Sequence, residues 1–256
     1  MRYLLLLLLM FPFLQACEVQ PTKAALGLVE ITPDPPHALF INEIPLPQGF
    51  HRRDTAQAPF TQWLRKLPLR KDNVLRLWDG RPKPNQSLHY AILDVPYTRD
   101  PLQQCADAVM RMRAEYLYAT KAQPSISFLH QRGKYFTCAT NCTRSMLEQF
   151  LKNVFNWCGT YNLAAQLKPV PNIMDVVPGD VFIKAGSPGH AMLVADVAQN
   201  AKGEKIFLLM QSFMPAQEIH LVKNTFHTNL SPWYSATESM IYTPGWYFKP
   251  ADLKRW

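Results

Sequence analysis

Apolar positions along this chain fall into three patterns. An unbroken run, Leu4 to Leu9 followed by Met10-Phe11-Pro12-Phe13, sits behind a charged tip at Arg2. Helical spacing comes next. Phe60, Trp63, Leu64 and Leu67 share one face of a short helix. A longer helix is expected from about Pro101 to Tyr118, with Leu102, Cys105, Val109, Met112 and Tyr116 at intervals of three and four. Asp100 can cap it, and Pro101 suits a first helical position, where no N–H is needed. Thr143 to Trp157 predicts another, with Met146, Leu147, Phe150, Leu151, Val154 and Phe155 on one side. The third pattern is short apolar runs closed by turn residues: Val74 to Trp78, His89 to Val95, Val181 to Ile183, His190 to Val197 and Ile206 to Gln211. Helices followed by hairpin-linked strands predict an α+β fold, an antiparallel sheet packed against helices.

The N-terminal run is too short to cross about 30 Å of hydrocarbon comfortably, and it reads as an address rather than a span. Leu14-Gln15-Ala16-Cys17 resembles a bacterial lipobox, which makes 1–17 a lipoprotein signal peptide and Cys17 the acylated residue. Several acyl chains on one residue would hold the protein on a membrane. Glu18 follows, not an Asp, which favours the outer membrane, facing the periplasm. Residues 18–50 contain Pro21, Pro33, Pro35, Pro36, Pro45 and Pro47 and few periodic apolar positions, the composition of an extended tether. Residues 51–256 are expected to form a single domain.

At 48% hydrophobic and 18% charged residues, the chain can bury a sizeable core, which excludes general disorder. Pro outnumbers Gly, 22 to 10, and neither GxGxxG nor GxxxxGK[ST] occurs, so no nucleotide cofactor is expected. The net charge of +8 is spread over short pairs such as Arg52-Arg53, Arg65-Lys66 and Arg70-Lys71, not gathered into a stripe for nucleic acid. The expected partners are the membrane, through the anchor, and peptidoglycan or envelope peptide.

Beyond Cys17 the cysteines are Cys105, Cys138, Cys142 and Cys158. Outside the cytoplasm a disulfide among them is plausible chemistry. The Cys138-x₃-Cys142 spacing, with His130, also reads as half a metal site, but no second ligand pair follows and no metal is expected. Cys105 lies in the apolar stripe of its helix, where a packed thiol is the ordinary outcome. His190 opens a strand after Ser187-Pro188-Gly189; a hydrogen-bonded core residue and a functional group fit it equally well. A hairpin centred between residues 201 and 202 sets Gln211 opposite Met192, diagonal to His190 on the same face. A slip of one residue reverses that. Asp180 reads as a turn former, and Asp196 as a hairpin cap or the partner of a basic residue.

Several strings carry a resemblance. Trp63-Leu64-Arg65, the block from Leu102 to Leu117, the loop from Gly186 to Ala191, Gln211-Ser212 with Met214 to Gln217, and Ser231-Pro232-Trp233-Tyr234 are similar to the domain of unknown function 4846 family of bacterial lipoproteins. A more distant likeness is to papain-like cell-wall amidases of the CHAP kind. It implies a papain-like core, with Cys105 as nucleophile, His190 as base and Gln211 as the group orienting it. Gln103, Gln104 or a nearby backbone N–H would hold the oxyanion. Cys105 departs from that pattern by lying one turn inside its expected helix. Two functions follow: a lipid-anchored cysteine hydrolase of peptide or amide bonds in the cell wall, or a non-catalytic envelope lipoprotein binding glycan or peptide. A reachable sulfur favours the first; a sulfur walled off by Val109 and Met112 favours the second.

Overall fold

The computed structural model describes residues 38–54, 58–130 and 133–256. The signal peptide, Cys17 and the first part of the tether lie outside the described residues. The strands are β1 (Phe50–His51), β2 (His89–Ile92), β3 (Ser127–Leu129), β4 (Tyr135–Thr137), β5 (Lys168–Pro169), β6 (Val181–Lys184) and β7 (His190–Asn200). They continue with β8 (Lys205–Gln211), β9 (His220–Val222), β10 (Tyr234–Ser235), β11 (Ile241–Thr243), β12 (Trp246–Phe248) and β13 (Leu253–Arg255). The helices are α1 (Pro59–Arg65), α2 (Cys105–Ala119), α3 (Arg144–Trp157) and α4 (Thr160–Gln166). Among the described residues nine strands make one antiparallel sheet, ordered β2-β9-β8-β7-β6-β13-β5, with β1 added to β7 and β10 to β8. The α+β class is as expected.

The sheet is covered on both faces, which is why β7 and β8 read as nearly continuous apolar runs rather than alternating ones. Ala191, Leu193, Leu208 and Met210 point into a core shared with Val109 and Met112 of α2. Met192, Val194, Phe207 and Leu209 point the other way, onto Phe182, Tyr234 and Phe248. Each large apolar side chain so buried contributes roughly 1.5–3 kcal/mol relative to exposure. In the tail, Trp233 is buried and its Nε1–H donates to the Pro45 carbonyl at 2.8 Å.

Several boundaries differ from the expectations, each for a local reason. From residue 38 the chain belongs to the domain: Ile41 and Ile44 are fully buried, and β1 pairs with the end of β7. Val74 to Trp78 is not a strand. It makes single bridges, Arg76 to Pro82 and Leu77 to Gln217, around a turn at Gly80 whose φ is +85°. Pro82 has no N–H to extend a ladder. Met146 is exposed, so the inner face of α3 consists of Leu147, Leu151, Val154 and Phe155. Helix α4 was not anticipated.

The hairpin β7–β8 contains a bulge at Val194/Asp196. Nearer the turn Val197 faces Phe207; beyond the bulge Leu193 faces Met210. The extra residue moves every later pair by one. Continued without it, the register near the turn would put Gln211 on the opposite face from His190. The expected face is therefore right, and the bulge is what delivers it.

Candidate active site

Helix α2 starts at Cys105, four residues later than the capping pattern suggested. Asp100 is used elsewhere: its carboxylate takes the Leu102 N–H within a local turn, at 3.4 Å, and pairs with Lys152 at 3.1 Å. The helix is capped instead at Gln104, whose backbone N–H donates to the Asp107 carboxylate at 2.9 Å. The expectation that Cys105 lies a turn inside is corrected: it is the first helical residue, beside the unpaired N–H groups of the first turn.

Cys105 is a free thiol, partly exposed, and it lines a cavity of about 570 Å³. Val109 and Met112 are buried in the core and do not line this cavity. His190, Gln104, Asp107, Cys158, Thr160, Phe213 and Trp246 line the same cavity. Burial pushes the Cys105 thiol up, and the Asp107 charge adds to this; N–H groups of Ala191, Ala106 and Cys105 itself pull the other way. A thiolate favoured by the helix terminus was the simpler expectation. Desolvation outweighs it, and the resting group is a thiol.

His190 is held from the far side of the strand end. Its Nε2 lies 2.7 Å from Gln211 Oε1, and its ring packs against Phe213, Trp246 and Phe248 at centroid distances of 5.0, 5.4 and 5.9 Å. Burial lowers its pKa to about 4 against the opposing hydrogen bond that it donates to Gln211, so the imidazole is neutral at pH 7. Gln211 has removed Nε2 from play, which leaves Nδ1 as the remaining base.

The loop that delivers His190 is tight. A Cβ on Gly189 would lie 2.5 Å from Thr160 Oγ1 and 2.6 Å from the Gly186 carbonyl; one on Gly186 would meet the Pro188 carbonyl at 2.4 Å. Thr160, the first residue of α4, bridges the Gly186 N–H and carbonyl, both at 3.3 Å. Ser212 ties this half of the site to the other. Its hydroxyl lies 2.9 Å from the carbonyl of Gln103, next but one to Cys105, and 2.7 Å from that of Gln217. Consecutive residues at the end of β8 thus hold the imidazole and the start of the cysteine helix.

Of the two side chains expected at an oxyanion, Gln103 is not in the cavity. It is buried behind the helix, where its Oε1 accepts from Arg111, itself fully buried and bonded also to Thr98, Glu115 and Glu148. Gln104 does line the cavity. Cys138 and Cys142 are joined in a disulfide, which withdraws them from a metal site, and His130 packs on Phe136 and Trp157. No group of three His, Cys, Asp or Glu suited to a metal occurs among the described residues. Asp180 accepts the Val177 N–H at 3.0 Å in its turn and is clamped by Arg255; Asp196 pairs with Arg52 and Arg65.

Sequence reasoning missed Asp107, Cys158 and Thr160 as parts of this site. Asp107 had a signal, an acid in the first turn of a helix that started later than expected. The others meet only through the tertiary fold. A family model described as domain of unknown function (4846) matches residues 41–140 and 135–255, so the chain belongs to that family. No curated protein and no solved structure matches it.

Proposed function

We propose that this member of the family is a cysteine hydrolase of amide bonds in cell-envelope peptides, built on a papain-like core and carried on the membrane by acylation of Cys17. One observation carries the catalytic reading: a free cysteine opens a helix in the same cavity as a neutral histidine whose Nε2 is fixed by Gln211. His190 Nδ1 takes the thiol proton as the Cys105 sulfur bonds to the substrate carbonyl carbon. The oxyanion is held by the Cys105 backbone N–H and Gln104. Collapse breaks the C–N bond, and the imidazolium gives its proton to the departing amine. Water, deprotonated by the same nitrogen, attacks the thioester; the carboxylic acid leaves and the thiol is restored.

The Cys138–Cys142 disulfide suits an oxidising compartment such as the periplasm. Acylation of Cys17 rests on the lipobox and is tested by acyl labelling of cells expressing the full chain and its Cys17→Ser variant; outer-membrane placement rests on Glu18 and is tested by separating the two membranes of those cells. The activity is tested by incubating the full chain and Cys105→Ala with muropeptides and following release of new amino groups. Turnover by wild type alone is expected. Equal turnover by both, or none by wild type across amide-linked muropeptides, overturns the enzymatic role.

A specific observation favours a second reading. Burial keeps the Cys105 sulfur protonated, and Tyr161, Phe213 and Trp246 line the cavity, as a binding cleft for peptide or glycan would have it. Equal retention of muropeptides by wild type and Cys105→Ala, without turnover, selects that reading.

A further inference from the structure

His190 can act as a base through Nδ1 only if its proton sits on Nε2, and hydrogen-bond bookkeeping shows where that choice is made. The register pairs Gln211 of β8 with His220 of β9. His220 Nδ1 lies 2.9 Å from the Glu218 carbonyl. A carbonyl only accepts, so Nδ1 carries the hydrogen. Burial lowers His220 to about 3 against that hydrogen bond, and the charges of Lys83, His89 and His190 act in the same direction as burial. Its Nε2 is therefore a bare acceptor.

Gln211 Nε2 lies 3.4 Å from His220 Nε2. The amide must present its NH₂ to His220 and its oxygen to His190. The oxygen in turn requires a hydrogen on His190 Nε2 and leaves Nδ1 unprotonated. Turning the amide over would set two acceptors, Oε1 and His220 Nε2, against each other. It would also force the hydrogen of His190 onto Nδ1, where the ring cannot take a proton from sulfur.

The start of this chain is itself fixed. The Glu218 N–H donates to the Arg76 carbonyl at 3.1 Å, its carboxylate accepts the Arg76 N–H at 2.8 Å, and Arg70 pairs with it. We propose that His220 is a positioning residue: held by the Glu218 carbonyl, it sets the orientation of Gln211 and through it the tautomer of His190. The tautomer assignment stands on the hydrogen-bond geometry, with burial keeping both imidazoles neutral; its catalytic meaning rests on the hydrolase reading above.

The test is ¹⁵N NMR of the full chain labelled at histidine, with single-histidine substitutions for assignment. Wild type should show His220 protonated at Nδ1 and His190 at Nε2. In His220→Phe, which keeps the ring's bulk without an acceptor, the ratio of the Nε2–H to the Nδ1–H form of His190 should fall about tenfold, the worth of one net hydrogen bond. In His220→Gln, whose oxygen again accepts, the ratio should recover. The opposite tautomer at either histidine of the wild type overturns the proposal, and so does an unchanged ratio in a folded His220→Phe. The wild-type measurement decides even where the Phe variant does not fold. Correct tautomers without muropeptide turnover leave this inference standing and remove the hydrolase.

Discussion

The two ends of β7 make opposite use of buried polar groups. At the bulge, Asp196 is fully buried and held by Arg52 and Arg65, at 2.6 and 2.7 Å, with a further hydrogen bond from the Val197 N–H at 2.9 Å. At the other end, His190 is linked through Gln211 to His220 by hydrogen bonds between uncharged groups. A charge-saturated cluster fixes geometry but has no proton to give. A neutral row held in one tautomer keeps a bare ring nitrogen at His190 Nδ1, which is what proton transfer needs and what a charge-saturated cluster lacks.

Substitutions at the two ends should therefore separate stability from chemistry. Asp196→Ala leaves two guanidinium groups facing a buried void and should cost about 3–5 kcal/mol in urea unfolding. Gln211→Leu should cost only about 1–3 kcal/mol. It should nevertheless lower muropeptide hydrolysis by a factor between about 10 and 10⁴, the upper figure being the loss when a catalytic histidine is left in the wrong tautomer. If Asp196→Ala is the milder change in unfolding, the contrast between the ends is broken.

The neutral end should also show in the pH dependence of stability. His190, at about 4 folded against 6.5 unfolded, supports the fold above 6.5, and this support is lost as pH falls towards 4. His220 loses its share from 6.5 towards 3, and burial shifts His89 in the same direction. Asp107 has the opposite sign. Burial raises it from 3.8 to about 8, so its contribution is complete below 3.8 and declines as pH rises to about 8. Below 6.5 the imidazoles outnumber the carboxyl; above it they no longer titrate and Asp107 governs the slope, with the burial of Glu218 acting in the same sense. Unfolding free energy should peak near pH 6.5, and Asp107→Asn should remove the decline between 6.5 and 8. A steady rise to pH 8 in the wild type would contradict this.

The cysteine–histidine–glutamine set was legible in part: the helical stripe of Cys105 pointed to a packed thiol and only the resemblance singled it out, whereas the other two carry local signals. His190 follows a Ser-Pro-Gly turn, Gln211 ends an apolar run, and hairpin counting brings their strands together. The start of α2 was misplaced because Asp-Pro is a strong capping pattern, and nothing local reveals that the Asp100 carboxylate serves its own turn and Lys152. The bulge was invisible for a related reason: its anchor, Asp196, pairs with arginines more than a hundred residues away in the chain. Contacts of that separation leave no periodic trace. Helix α4 is only seven residues long, too short for a repeating stripe.

The smallest expected effect tests whether Asp107 belongs with the neutral row or with the charged cluster. Arg111 and the Gln104 N–H favour its ionised form, yet burial outweighs both and holds it protonated up to about pH 8. While protonated it exerts no charge on the Cys105 sulfur; once ionised it opposes the thiolate. Alkylation of Cys105 by iodoacetamide should then proceed at equal rates in wild type and Asp107→Asn below pH 8, and a few-fold faster in the variant at pH 9. Cys158, in the same cavity but raised to about 11 by burial, should react more slowly than Cys105 in both proteins. Peptide mapping separates the two labels. Equal Cys105 rates at pH 9 would mean that the carboxylate does not act on the sulfur, and a difference already present at pH 6 would return Asp107 to the side of the fixed charges.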